Sequence, residues 1–420
     1  MELPGGANIL TIDTSMFTFA TDLVDEGMAN VLDQTADRAS LGGITMAAAY
    51  HQGRDIFPHN PRRKVHFLEG DTVFFQPDPR RYRGLLLQPR VSALARESDP
   101  LSDLCGEAAA RSLRVRAWTV YLHNYTLGAA HPDCACRNAF GDAHLTELCP
   151  SNPDVRAYVT ALSADIAGKG VASVVAESLH FHALEHGFHH ERYFIELGLF
   201  GRFLLGLCFC DHCMQVAERR GVDAERLRVE ARGELERRFA ADPKPEPPEL
   251  VRETVGAFAG GELAGFLEAR RGTVTSLVEE AVQAAAAENA NFAFIDLSGA
   301  VKGYTTGRPQ GGPAAEIAWR FGVDLGEVAA AGGQLEAIGY AADPERLRVD
   351  LAAYRAAIGR QRPLSVILRP MAPDCDRAEN LAAKLAIARE LGVTEVAFYH
   401  YGFMRLQSLD LIHSALEGSA

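Results

Sequence analysis

The sequence predicts a (β/α)8 barrel with long inserted loops after the second and fourth strands, on three observations. Short apolar runs recur eight times, helix-like stretches separate them, and the last unit has readable boundaries. Continuous apolar runs alternating with amphipathic segments mark a parallel sheet covered by helices, and eight such units close a barrel. A doubly wound open sheet is the alternative topology. The runs fall at residues 17–21 (or 9–13), 43–50, 115–123, 173–180, 292–297, 335–340, 364–371 and 395–401. In the last unit Asp376 is placed to cap a helix rich in Ala, Leu, Lys and Glu, which Gly392 ends just before the final strand.

Spacing between the units is uneven, and the excess falls after the second and fourth strands, where barrels place long loops. Residues 1–420 read as one barrel domain with an insertion at about 184–290. That insertion holds helical stretches and the connector Asp242-Pro243-Lys244-Pro245-Glu246-Pro247-Pro248, whose prolines deny the backbone its helix donors. Loops decide specificity on this fold, so the insertion is expected to pack over the barrel mouth and narrow it.

Composition narrows the class. With 420 residues, 47% hydrophobic and 23% charged, the chain has ample material for a large core. A net charge of -13 leaves no surplus of Lys and Arg for phosphates, which argues against a nucleic-acid partner. The start, Met1-Glu2-Leu3-Pro4-Gly5-Gly6, has neither a basic nor an apolar targeting region, and no apolar run is long enough for a membrane span. The chain is therefore read as cytoplasmic, without a membrane partner and compatible with a homo-oligomer.

In a reducing compartment clustered cysteines point to metal before disulfides. Cys105 and Cys375 are isolated and read as small buried hydrophobes, whereas Cys208-Phe209-Cys210-Asp211-His212-Cys213 brings three thiols into one turn. Zinc prefers thiolates and needs four ligands in a closed site, so a fourth comes from elsewhere. Cys149 is the first choice, in a proline-held loop before a helix; Cys134, Cys136 and His212 are alternatives.

Here a resemblance enters. Cys149, Pro150, Pro153, Arg156 and Tyr158, followed by Cys208-x-Cys210-x-x-Cys213, resemble the arrangement in family 42 β-galactosidases and in the hypothetical glycosyl hydrolase barrels related to them. The likeness covers mainly residues 115–215. It implies that Cys149, Cys208, Cys210 and Cys213 bind a structural zinc near the barrel mouth, and that the substrate is a carbohydrate.

Side chains at the carboxyl ends of barrel strands converge on one mouth. Glycoside hydrolysis needs two carboxyl groups, one protonated and one ionised. Glu177 and Asp296 interrupt apolar runs on neighbouring strands, where a carboxylate is costly without a partner or a task. They are the candidate catalytic pair. Relatives carry their acid/base glutamate on strand four, which matches Glu177. The sequence departs from them in having Ala176 where Asn usually precedes that residue, and in holding Arg369 and no carboxylate on strand seven.

Candidate substrate-binding residues at the other strand ends are His51, His123, Asn124, His180, His182, Tyr340, Arg369, Tyr399 and His400. The two tryptophans, Trp118 and Trp319, are too few for a long polysaccharide cleft and favour a short oligosaccharide or glycoside. Two other readings stand beside this one: a metal-dependent hydrolase or isomerase using the strand-four histidines, which extend to His186, His189 and His190, and a non-catalytic sugar-binding barrel.

Overall fold

The computed structural model describes residues 12–184 and 192–418. Eight parallel strands form the barrel: β1 (Asp13–Thr18), β2 (Gly43–Tyr50), β3 (Arg114–Val120), β4 (Ser173–Glu177), β5 (Asn291–Asp296), β6 (Gln334–Ile338), β7 (Leu364–Leu368) and β8 (Glu395–Phe398). Neighbours in sequence are neighbours in the sheet, and Met16 of β1 registers with both Ile44 of β2 and Phe398 of β8, which closes the circle. The helices outside it are α1 (Ala20–Glu26), α2 (Pro100–Ala109), α3 (Pro153–Ala167), α4 (Glu262–Ala286), α5 (Leu325–Ala330), α6 (Pro344–Ile358), α7 (Ala378–Glu390) and α8 (Gln407–Glu417). None of the described helices is long and apolar enough to cross a membrane.

Local chemistry sets several of these starts. Before α3, the Asn152 side chain accepts from the backbone N–H groups of Asp154 and Val155, and Pro153 opens the first turn; Asp343 and Pro344 do the same for α6. Gly392 adopts φ 67° just after α7, as a helix-ending glycine does. Asp376 does not cap α7: the cap position is Arg377, and Asp376 pairs with it at 3.3 Å.

Strand one lies between the two expected positions. Asp13, Thr14 and Ser15 are polar and hid its first half, yet Ser15 faces the barrel interior, where it meets Thr45 and Arg116. Residues 20–26 already belong to α1. β3, β4 and β8 end earlier than their apolar runs, because Tyr121, Leu122, Leu179 and Tyr401 are buried in the loops beyond the ladders. Hydrophobicity reports burial; it does not report hydrogen bonding in a ladder.

The insertion between β4 and β5 is shorter than residues 184–290. α4 packs on α3 and β5 as a barrel helix, so the extra sequence ends before Glu262. Its described part holds helices Gly198–Leu205, Asp211–Glu218, Ala224–Ala240 and Arg252–Gly256 with the proline connector, and Glu249 ties it to Lys302 and Gly312 in the loop after β5. After β2 the chain makes a hairpin, Gly53–Ile56 with Val65–Leu68, and then a short strand, Thr72–Val73, that pairs antiparallel with the end of β2.

Candidate active site

Inward-facing side chains of the barrel stack in layers. At the floor Arg116 bridges Glu336 at 2.5 Å and Glu395 at 3.3 Å. Above it lies a cavity of about 440 Å³ to which every strand contributes: Phe17, Tyr50, Trp118, Glu177, Ile295, Ile338, Ile367 and Tyr399, from strands or the residues directly after them. Tyr340, Arg369, Leu297, Tyr304 and Thr305 complete the walls, and among the described residues none of the lining comes from the insertion. A bulge between Ala47 and Ala49 changes the alternation of β2 and so turns Tyr50 inward.

Trp118 is the centre of the aromatic wall, with the Phe17 ring 5.1 Å and the Tyr50 ring 4.4 Å from its own. Its indole N–H donates to Glu177 Oε2 at 2.5 Å, which fixes the carboxyl in the cavity. The Tyr50 and Tyr399 hydroxyls are hydrogen-bonded to each other, and burial first, then the Glu177 charge, pushes Tyr399 above the ordinary phenol range. Arg369 lies 4.2 Å over the Tyr340 ring and donates twice to Asp374 at 2.6 Å. Its charge is therefore matched by Asp374 behind the wall, and Tyr304 O takes a further N–H at 2.7 Å.

Asp296 does not share this cavity. Ile295 and Leu297 line it, so the residue between them faces the helical layer. There Asp296 accepts from Tyr354 Oη of α6 at 2.6 Å and from Ser298 Oγ at 2.6 Å, with burial pushing its carboxyl up. The two proposed catalytic carboxylates thus lie on opposite faces of the wall.

Of the candidate substrate-binding residues, Tyr340, Arg369 and Tyr399 line the cavity. His51 stacks on Tyr50 with rings 4.2 Å apart and stands 5.3 Å from His123. His123 Nδ1 is 2.9 Å from one oxygen of Glu147, and His182 Nδ1 pairs with the other. Burial would raise the Glu147 carboxyl, but the two imidazoles outweigh it and hold it well below the usual range. His180 stands 5.0 Å from His182, ring to ring, and its Nδ1 bonds Phe181 O at 2.6 Å. Asn124 is a helix cap, accepting from Leu127 N at 2.8 Å. His400 is fully buried between Phe19 and Phe403, where Nδ1 accepts from Gly402 N, and burial keeps it well below the ordinary imidazole range. His186, His189 and His190 lie outside the described residues.

Glu147 and Tyr304 were missed by sequence reasoning. Glu147 sits on the hairpin strand Ala143–Leu148, away from any barrel strand, and the pairing of that strand with the segment around His123 brings it to the mouth.

Four buried thiols meet beside α3. The sulfurs of Cys149, Cys208, Cys210 and Cys213 all lie within 4.8 Å of one another, with Cys149 at 3.5 Å from Cys210 and 3.4 Å from Cys213. Four sulfurs at tetrahedral zinc distances stand roughly 3.8 Å apart, so this donor set fits such an ion. Cys136 is a fifth thiol within hydrogen-bonding reach of Cys149 and Cys208, outside the set of four. The backbone N–H of Arg137 donates to Cys208 Sγ at 3.3 Å, as outer groups do around thiolate ligands.

No family model and no curated protein matches the chain. Solved structures do. The α-L-fucosidase isoenzyme 2 from Paenibacillus thiaminolyticus aligns with a TM-score of 0.57 at 10% identity, over 97% of this chain and 49% of that one. The catalytic domain of β-amylase from Paenibacillus polymyxa gives 0.53 at 9% identity, over 94% of both chains. The β-galactosidase from the psychrophilic Marinomonas ef1 gives 0.52 at 10%, over 97% of this chain and 59% of that one. This chain thus spans about half the length of the fucosidase, and the shared feature is the (β/α)8 barrel.

Proposed function

We propose that this barrel is a glycoside hydrolase, or a closely related sugar-processing enzyme, acting on a short oligosaccharide or simple glycoside with Glu177 as general acid. The observation that carries the reading is one carboxyl anchored in an aromatic cavity built from the carboxyl ends of all eight strands. Its size suits one or two sugar rings, and flat aromatic walls suit their apolar C–H faces. The solved structures that share the fold include a fucosidase, an amylase and a β-galactosidase, which supports the same class. The cysteine motif's resemblance to family 42 adds to it.

In this reading the Trp118 indole holds the Glu177 carboxyl in one orientation, and its proton passes to the glycosidic oxygen as the C1–O bond breaks. Tyr340, Arg369 and Tyr399 bind and orient the sugar around it. A panel of aryl and alkyl glycosides assayed with the wild-type protein and Glu177→Gln tests this. Hydrolysis of none of them by the wild type would leave the sugar-binding reading in its place.

We further propose that Cys149, Cys208, Cys210 and Cys213 hold one structural zinc. Bound there, zinc would supply cross-linking and no chemistry, tying the loop before α3 to the insertion. Elemental analysis showing no stoichiometric zinc in purified protein would remove this assignment.

A further inference from the structure

We infer that Asp55 is the second carboxyl of the active site, its general base. The inference rests on the hydrolase reading above. It begins from the hairpin that follows β2, where Asp55 registers opposite His66. Arg54, Ile56, Val65 and Phe67 form its exposed face, and the alternation turns Asp55 to the other side, toward the barrel. Tyr50, which lines the cavity, ends the strand just before this hairpin.

The setting of Asp55 differs from that of the other buried acids described above. Asp296 is held by Tyr354 and Ser298, Asp374 by Arg369, and Glu147 by His123 and His182. Asp55 Oδ2 is buried without a hydrogen-bond partner among the described residues. Two arginines of the same loop are committed elsewhere, with Arg62 and Arg63 3.7 and 2.5 Å from Asp25, and Arg54 lies on the opposite, exposed face of the hairpin. A buried acceptor in want of a donor is rare in a native protein, and a bound water or substrate hydroxyl would complete it.

Two phenols link this group to the cavity. Tyr50 and Tyr399 line it, bond to each other and feel the charges of both Glu177 and Asp55. Asp55 is not itself among the lining residues, so the proposed role is activation of a water and not direct attack on the sugar. That arrangement leads to inversion. Water oxygen bonds to C1 while the C1–O bond to the leaving group breaks; the water proton goes to Asp55, and the Glu177 proton goes to the departing oxygen. Proton exchange with solvent then restores both carboxyls.

Burial pushes the Asp55 carboxyl up to about 6. A base must be ionised, so the rate should rise with pH through that value. A carboxyl raised on folding also costs stability once ionised, so Asp55→Asn should melt no lower than wild type at pH 7.

The test uses the full chain and p-nitrophenyl glycosides. For the glycoside that the wild type cleaves, Asp55→Asn should lose ~100-fold or more in kcat with KM little changed, and should lose the acidic limb of the pH–rate profile. Azide added to Asp55→Ala should restore p-nitrophenol release, and proton NMR of the first product should show inverted configuration. Wild-type kcat in Asp55→Asn, or retained configuration, overturns the assignment while leaving Glu177 and the hydrolase reading in place. A wild type that cleaves no probe overturns the reading and this inference together.

Discussion

A single step along a strand separates the setting of Glu177 from that of Asp296. Side chains alternate across a barrel wall, so one residue decides between the cavity and the helical layer. Glu177 ends β4 facing in; Asp296 ends β5 facing Tyr354. Both acids were legible in the sequence as carboxylates closing apolar runs, but the facing of each needs a strand register that hydropathy does not carry. The contrast gives two predictions. Glu177→Gln should lose ~10²-fold or more in rate on a glycoside with a poor leaving group and much less on an activated aryl glycoside that departs without protonation. Equal losses on both substrates would remove Glu177 from the acid role. Asp296→Ala, by comparison, strips the buried Tyr354 hydroxyl of its acceptor, so thermal or urea unfolding should show about 1–3 kcal/mol of lost stability, with kcat unchanged in the folded fraction. A kcat loss matching that of Glu177→Gln would return Asp296 to the chemistry.

At the scale of elements, the parts around the mouth depend on cross-links between loops, and these were only partly legible. The spacing of Cys208, Cys210 and Cys213 marked a metal-type turn; that Cys136 would stand beside Cys149 depends on how the hairpin Ala143–Leu148 folds back, which spacing cannot reveal. Cys210→Ser should lower the melting temperature by several degrees and release zinc to a chelator, because a structural ion contributes its binding energy to folding. It should leave kcat intact in protein that stays folded; an unchanged melt would separate the cluster from stability. Glu147 rides on the same hairpin, and its place depends on Gly128. A Cβ at Gly128 would stand 2.0 Å from Leu145 O and 2.9 Å from its carbonyl carbon, so backbone must move. Gly128→Ala should therefore cost roughly 1–3 kcal/mol, with the His123 and His182 ring resonances shifted in NMR spectra. Wild-type stability and unshifted resonances would show that the hairpin yields without displacing Glu147.

Taken as a whole molecule, the barrel is a stack in which an ionic floor supports an aromatic cavity. The eight-unit pattern was legible because parallel strands buried on both faces are apolar over most of their length. The floor was not, since Arg116, Glu336 and Glu395 sit in different strands and read singly as breaks in apolar runs. Inside, one guanidinium answers two carboxylates: burial disfavours its charge, but Glu336 and Glu395 outweigh that and keep Arg116 protonated. Removing Arg116 leaves two acids buried together, and breaking a buried pair from one side typically costs about 3–5 kcal/mol. Arg116→Met should lose stability of that order at pH 7. The sign with pH follows from the charges. Burial already holds the Glu336 carboxyl above its ordinary value despite the guanidinium, and losing that partner raises it further, so the variant's deficit should shrink as pH falls toward 5 and grow as pH rises. Replacing all three, as Arg116→Met with Glu336→Leu and Glu395→Gln, should recover most of the loss, because an uncharged floor needs no compensating charge. Urea unfolding of the three proteins at pH 5 and pH 8 measures this. A deficit in Arg116→Met that is the same at both pH values, and that the triple variant does not relieve, would show that the arginine acts by filling space and not by answering charge.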